Sequence, residues 1–183
     1  MGASEQATEG VSAARRVHRI LCAAAVLGLA LIAGCSSLGD TFDVTPFLRE
    51  QITGDTWRAC LAREYQLQTR VVLRQGRNWA EASRFSAKGW AALHGEAVAP
   101  WSPAAFDAEG ERLARLQAAR GELDASLGKW DLAPCACAKA QGAYDGWVAA
   151  VVWPAVNEAA AQAGFASAVT ACRQATAMRV EAH

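Results

Sequence analysis

The chain has 183 residues, and its 18 lysines and arginines balance 18 aspartates and glutamates. This balance argues against a dedicated binder of nucleic acid or of an anionic surface, which would need an excess of cations. Alanine is abundant, β-branched residues are sparse and no Asn-Gly hairpin signal occurs, so the sequence predicts an all-α fold.

The first segment, residues 1–34, has the pattern of a signal peptide. Three arginines at 15–19 precede an apolar run over 20–33. That run is shorter than the ~20 residues that a membrane-spanning helix needs. It ends in Ala-Gly directly before Cys35, which resembles the lipobox of bacterial lipoproteins. The resemblance implies cleavage before Cys35 and a covalent diacylglycerol and N-acyl lipid on its thiol and amine.

The residues after the lipobox indicate a destination and a tether. Residue 36 is Ser and not Asp. The resemblance to Gram-negative lipoproteins then implies the outer membrane, on the periplasmic side, with the inner membrane and the cell surface as alternatives. The run Ser-Ser-Leu-Gly-Asp indicates a flexible connection. We therefore predict a tether over 35–54 and a helical domain over 55–183.

Two helices are predicted directly after the tether. Asp55 is a good N-cap for a helix whose apolar residues recur at helical spacing as far as Val72. Gln-Gly-Arg-Asn at 75–78 breaks this helix, and a second helix follows over 79–93. A linker at 95–101 ends this part of the chain. The pattern predicts a helical hairpin within a bundle.

Residues that start or break helices also predict the limits of the remaining helices. Ser-Pro at 102–103 combines a capping hydroxyl with a proline at the first helical position, and an apolar stripe follows as far as Trp130. A fourth helix begins near Cys135 and must end or kink at Pro154. The last begins at Gly164. The prediction is a small bundle of about four to five helices.

Four cysteines other than Cys22 and Cys35 remain, an even number that predicts two disulfides in an exported chain. Cys135 and Cys137 are too close in sequence to bridge each other easily. Both remaining pairings join each member of this couple to one of the outer cysteines, Cys60 and Cys172. Because Cys137 and Cys172 both lie on apolar stripes, we favour Cys137–Cys172 with Cys60–Cys135 over the other pairing.

The Cys135-x-Cys137 pattern also allows a different chemistry. Two thiolates one residue apart can hold a soft cation such as Cu(I). No neighbouring His or Met completes such a site. A thiol-based copper-binding lipoprotein is therefore the alternative function, and we assign no metal ligand.

Residues typical of catalysis are few. His94 stands alone at a predicted helix end, where a histidine is favoured by the helix dipole. Asp107, Glu109 and Glu111 cluster at the start of a predicted helix, where acids are favoured for the same reason. No nucleophile elbow and no glycine-rich phosphate loop occur. We therefore predict that the chain is not an enzyme.

Tryptophan is frequent, and its positions predict two roles. Two tryptophans adjoin a linker or a proline, Trp101 and Trp153, and these are the candidates for interface contacts. The other five fall on helix stripes and are predicted to lie in the core: Trp57, Trp79, Trp90, Trp130 and Trp147.

Several short motifs resemble the helical N-terminal region of Gram-negative outer-membrane lipoproteins that carry a C-terminal OmpA-like domain. No stretch before His183 resembles that peptidoglycan-binding half, so direct peptidoglycan binding is not implied. The family often has a cysteine where this chain has Gly146, so its disulfide arrangement is not carried over. The motifs are Leu-Ala-Arg-Glu-Tyr at 61–65, Asn-Trp-Ala-Glu-Ala at 78–82, Phe-Ser-Ala-Lys-Gly at 85–89, Gly-Glu-Ala-Val-Ala-Pro at 95–100, Ala-Gln-Gly-Ala-Tyr-Asp-Gly-Trp at 140–147 and Ala-Cys-Arg at 171–173.

The sequence therefore predicts a non-catalytic, lipid-anchored lipoprotein that serves as a structural or protein-interaction component of the envelope. Its expected partners are the membrane, through the lipid, and other envelope proteins. Nucleic acid and cofactors other than the lipid are not expected.

Overall fold

The computed structural model describes residues 43–76, 79–106, 108–152 and 157–182. In these ranges the regular structure is entirely helical, which confirms the all-α prediction. Two 3-10 turns lie at Pro103–Phe106 and Trp130–Leu132. The six α-helices are α1 Thr45–Arg49, α2 Trp57–Arg74, α3 Trp79–His94, α4 Gly110–Leu127, α5 Pro134–Val152 and α6 Glu158–Glu181.

The folded unit begins at Val44, earlier than predicted. Val44 and Phe47 are fully buried in the core, and Gln66 donates hydrogen bonds to the carbonyls of Phe47 (2.8 Å) and Glu50 (3.0 Å). The prediction of a flexible tether is therefore wrong for 44–50. A helix of five residues is too short to show a hydrophobic period. The predicted signal peptide and Cys35 lie outside the described residues.

Helices α2 and α3 form the predicted hairpin. Thr56, and not Asp55, caps α2, and its hydroxyl accepts a hydrogen bond from the Ala59 amide at 3.3 Å. Gly76 follows the end of α2 with a φ of +69°, and Gly95 follows α3 with a φ of +85°. Glycine adopts this left-handed conformation without the steric cost that other residues bear, so both helices end where the sequence predicts.

Helices α4 and α6 begin at residues that differ from the prediction. Pro103 opens a 3-10 turn, and α4 starts only at Gly110, whose φ of +55° is incompatible with a right-handed helix continuing from 103. Asn157 caps α6 by accepting a hydrogen bond from the Ala160 amide at 3.2 Å. Gly164 therefore lies inside α6 and does not start it. Trp130, predicted at the end of α4, lies in the separate turn that leads to α5.

Helix α5 is central because it packs against α2, α4 and α6. On one side a first apolar cluster is formed with α4 and α6, around Leu116, Tyr144 and Phe165. On the other side a second cluster is formed with α1, α2 and α3, around Phe47 and Phe85. Helix α5 thus joins two halves of one body.

The tryptophan predictions were only partly correct. Trp147 is buried in the first cluster. Trp57 and Trp90 are partly buried. The core prediction is wrong for Trp79 and Trp130, whose side chains are 54% and 42% exposed. Both residues lie at the beginning of a helical element, where one flank of the side chain has no neighbouring turn to cover it.

Candidate functional site

The four folded-domain cysteines form the favoured pairs. Cys60–Cys135 joins the beginning of α2 to the beginning of α5, with the Cα atoms 4.9 Å apart. Cys137–Cys172 joins α5 to α6, with the Cα atoms 4.6 Å apart. Both cysteines of the second pair are fully buried in the first cluster, whereas Cys135 is only partly buried. The two disulfides therefore differ in their access to solvent.

A guanidinium group lies beside the more accessible disulfide. Arg63 Nη2 is 3.2 Å from Cys60 Sγ and 3.7 Å from Cys135 Sγ. The same nitrogen is 3.6 Å from a carboxylate oxygen of Asp55. Arg63 Nη1 donates to the carbonyls of Ile52 (3.3 Å) and Gly54 (2.6 Å). Because these carbonyls fix the guanidinium, its charge is held next to both sulfurs.

The surroundings of Cys60–Cys135 also contain the one group of three potential metal ligands found among the described residues. A carboxylate oxygen of Asp55 and the sulfurs of Cys60 and Cys135 lie within 4.8 Å of one another. The two sulfurs are bonded to each other, and Arg63 is close to all three ligand atoms. A cation would have to displace that guanidinium. Cys135 and Cys137, the couple considered for copper, belong to different disulfides.

An open groove of about 810 Å³ is lined in part by Pro134, the residue before Cys135. Trp57 and Trp130 form part of its wall, with ring centroids 5.0 Å apart. We call it the Trp57–Trp130 groove. It brings together the beginning of α2, the segment that follows α3 and the residues that lead into α5, and its lining is Thr56, Trp57, Arg58, Gly95, Glu96, Ala97, Val98, Trp130, Asp131 and Pro134.

A second cluster of polar side chains is largely buried. The Asp145 carboxylate is fully buried and accepts from Tyr65 Oη (2.7 Å), Lys88 Nζ (2.5 Å) and the Trp101 amide (2.7 Å). Gln141 Nε2 donates to Tyr65 Oη at 3.0 Å. Each of these polar groups has a partner. We call this set of four side chains, Tyr65, Lys88, Gln141 and Asp145, the Asp145 clamp.

The Asp145 clamp holds the linker that follows α3. Lys88 Nζ donates to the Ala99 carbonyl at 2.7 Å, and Gln141 Nε2 donates to the Val98 carbonyl at 2.8 Å. The Trp101 amide completes the contact with Asp145. Backbone groups without a helical or sheet partner are therefore satisfied by side chains from α3 and α5.

Burial shifts the proton affinities of the clamp. Burial raises the pKa of Asp145, an effect that Lys88, the Trp101 amide and Tyr65 oppose. Burial likewise lowers the pKa of Lys88, and the adjacent Asp145 opposes this shift. The pKa of Tyr65 is raised well above its usual value by burial and by the Asp145 charge. Since Asp145 and Tyr65 are closed to solvent, we interpret the clamp as structural.

Two tryptophans were predicted to form interface contacts, and the structure describes only one of them. Trp101 is partly buried, with its ring centroid 4.6 Å from Phe85 and 4.7 Å from Phe106. Lys88 Nζ lies 4.9 Å from the same ring. Trp101 thus packs between the two clusters and keeps part of its surface accessible, and its role as an interface contact stays a prediction. Trp153 lies outside the described residues.

The polar residues considered for catalysis are dispersed. His94 stacks on Trp90, with ring centroids 5.7 Å apart. Glu109 and Glu111 are exposed at the start of α4, as expected of a solvated face. Asp107 lies outside the described residues.

Sequence reasoning missed the Asp145 clamp and Arg63. A signal was present, because Tyr65, Lys88, Gln141 and Asp145 interrupt otherwise apolar helical positions. All four residues also lie in the motifs quoted above. Arg63 gave no signal, since an arginine on a helix is most often solvated.

Comparison of the chain with known protein families, with curated proteins and with solved structures found no match. In the described part of the chain, no helix is both long and apolar enough to cross a membrane.

Proposed function

We propose that this chain is a lipid-anchored lipoprotein of the outer membrane whose helical body is a non-catalytic structural or interaction component of the envelope. The observation that carries the proposal is the presence of two disulfides in a body of this size. Disulfides form and persist in oxidising compartments, of which the periplasm is one. A lipid anchor at Cys35 agrees with that compartment.

The Asp145 clamp supports two parts of this proposal. It uses residues from four of the motifs that resemble the OmpA-associated lipoproteins: Tyr65, Lys88, Gln141 and Asp145 as side chains, and Val98 and Ala99 as carbonyls. Motifs that are separate in sequence therefore meet at one place, as expected if they define a fold. Asp145 and Tyr65 are fully buried and offer a substrate no access, which supports a non-catalytic role.

Metabolic labelling with an alkyne-bearing palmitate tests the anchor. We expect the label on the wild-type chain and none on Cys35→Ala. Cys22→Ala is the matched control, because Cys22 lies inside the predicted signal peptide and does not follow the Ala-Gly pair. It should be labelled like the wild type. An unlabelled wild type, or a labelled Cys35→Ala, would contradict the proposal.

Thiol trapping in intact cells separates the proposal from the copper alternative. Maleimide should modify none of Cys60, Cys135, Cys137 and Cys172 before reduction, and all four after it. Free Cys135 and Cys137 together with bound copper in the purified protein would favour the copper-binding lipoprotein. In-cell crosslinking followed by pull-down would then identify the envelope partner.

A further inference from the structure

The surroundings of the two disulfides differ in a way that the anchoring function does not use. Cys137–Cys172 is enclosed by apolar side chains of the first cluster. Cys60–Cys135 lies against a fixed guanidinium, and Pro134, the residue before Cys135, lines the Trp57–Trp130 groove. A disulfide that serves only as a staple needs neither feature.

We propose that Cys60–Cys135 is a site of thiol–disulfide exchange with an external dithiol, whereas Cys137–Cys172 is a structural bond. The dithiol would be a protein with two active thiols, and the groove beside Pro134 would receive its polypeptide. This goes beyond the anchoring role and does not depend on lipid at Cys35.

The geometry assigns different roles to the two sulfurs. Cys135 is partly exposed, whereas Cys60 is buried. A thiolate of the reductant therefore attacks Cys135 Sγ, the bond between the two sulfurs breaks, and Cys60 Sγ leaves as a thiolate. Thiolates are stabilised by an adjacent Arg, and a more stable thiolate leaves faster. Arg63, nearer to Cys60 than to Cys135, is placed to stabilise the sulfur that leaves.

The second step returns the reductant to its oxidised form. The other thiolate of the dithiol attacks the reductant's own sulfur in the mixed disulfide, and Cys135 is released as a thiolate. The dithiol has then lost two electrons and become a disulfide, and Cys60 and Cys135 have gained them. The dithiol also releases two protons. They are taken up by the thiolates of Cys60 and Cys135 or by water.

Arg63 also distinguishes exchange from metal binding. In the reduced state the two thiolates and the Asp55 carboxylate would resemble a three-ligand cation site. The guanidinium already lies within 3.7 Å of both sulfurs and of Asp55. A fixed positive charge stabilises thiolates but repels a metal cation. The arrangement thus favours electron transfer through thiols over ion binding.

The first test compares the two bonds in the oxidised, purified protein. The protein is incubated with dithiothreitol under native conditions, quenched with acid, alkylated and mapped by peptide mass spectrometry. We expect Cys60 and Cys135 to be alkylated more than about tenfold faster than Cys137 and Cys172, which a reductant reaches only after local opening. Equal rates, or slower reduction of Cys60–Cys135, would overturn the proposal.

A monothiol tests the direction of attack without any substitution. Reduced glutathione has one thiol, so the mixed disulfide is resolved only by a second molecule, and an early acid quench traps an adduct that marks the attacked sulfur. We expect glutathione on Cys135 and the alkylating reagent on Cys60. Adducts mainly on Cys60 would refute the assigned roles.

Arg63→Met tests the guanidinium. Loss of the charge beside the leaving thiolate should slow reduction of Cys60–Cys135 by about threefold to tenfold. Arg74→Met is the matched control, because Arg74 is exposed at the other end of the same helix and does not line the groove, and its rate should equal that of the wild type. Arg63→Lys, which keeps the charge, should recover most of the rate. Unchanged reduction in Arg63→Met, or equal slowing in Arg74→Met, would contradict the role of Arg63.

Discussion

Replacing Asp145 by Asn removes the buried charge of the clamp and keeps the shape of the side chain. Asp145 is fully buried and the Lys88 side chain is only 13% exposed. The substitution leaves the Lys88 ammonium without its counter-charge in a site from which water is largely excluded. The amide oxygen of the new residue can still accept from Trp101 or Tyr65, but not from all three donors.

The magnitude follows from the environment of the pair. Breaking a buried ion pair by removing one partner costs about 3–5 kcal/mol, because the other charge stays buried and unpaired. Since one acceptor oxygen is retained, we expect about 3 kcal/mol for Asp145→Asn. With a urea m-value of about 1.5 kcal/mol/M, the unfolding midpoint should fall by about 2 M.

The assay is equilibrium urea unfolding followed by far-ultraviolet circular dichroism, with both disulfides oxidised. Asp124→Asn is the matched control, since Asp124 pairs with Arg120 at 2.8 Å on the surface and is 53% exposed. An exposed pair contributes about 0–1 kcal/mol. If Asp145→Asn costs no more than Asp124→Asn, the clamp does not stabilise the fold and the reasoning is refuted.

A double-mutant cycle isolates the interaction between the two charges. Lys88→Met alone leaves the Asp145 carboxylate buried beside two neutral donors. In the double variant Lys88→Met/Asp145→Asn neither charge remains, so its cost should be smaller than the sum of the single costs by about 2 kcal/mol or more. Additive costs would mean that the charges do not interact.

Two further predictions follow from other buried positions. Burial raises the pKa values of Tyr65 and Tyr144, the two tyrosines of the chain, above 10.0. Keeping these tyrosines neutral and buried contributes to the free energy of unfolding, and this contribution is fully present below pH 10. It is lost as the pH rises towards the tyrosine pKa values of the folded state, by about 1.4 kcal/mol per tyrosine and pH unit. Tyrosinate absorbance should therefore appear together with the loss of helical circular dichroism, and tyrosinate in the folded protein would contradict this. Gly89→Ala should destabilise the protein by about 1–3 kcal/mol, because a Cβ there would collide with the Phe47 ring. Gly121→Ala meets no atom within 4 Å and should stabilise α4 by up to about 1 kcal/mol; thermal unfolding measures both, and equal signs would refute the packing argument.

Sequence periodicity predicted the long helices because each buries one apolar stripe. It failed where a short segment is held by contacts distant in sequence. Phe47 is buried because Gly89, on another helix, leaves room for its ring. Trp101 is partly buried because residues of α3 and α5 fix the backbone around it. Neither fact is visible in a local pattern.

The candidate site was predictable in its covalent part and not in its electrostatic part. The cysteine stripes favoured the correct pairing, since two cysteines on facing apolar stripes are brought together by packing. The position of Arg63 depends on the carbonyls of Ile52 and Gly54, in a segment that the sequence assigns to the tether. Its contact with the sulfurs exists only because that segment is ordered.

The two halves of the body are joined across α2 and α5 in two independent ways. Cys60–Cys135 closes a loop with a sequence separation of 75, which corresponds to about 4.5 kcal/mol of chain entropy. The Asp145 clamp connects α5 to α2 through the Tyr65 hydrogen bond and to α3 through the Lys88 ion pair, and removing one partner of that ion pair is expected to cost about 3–5 kcal/mol. Opening the disulfide leaves these clamp contacts in place. Under the proposed exchange we therefore expect the bundle to stay folded while Cys60–Cys135 is reduced, so that the buried Cys137–Cys172 bond is not exposed.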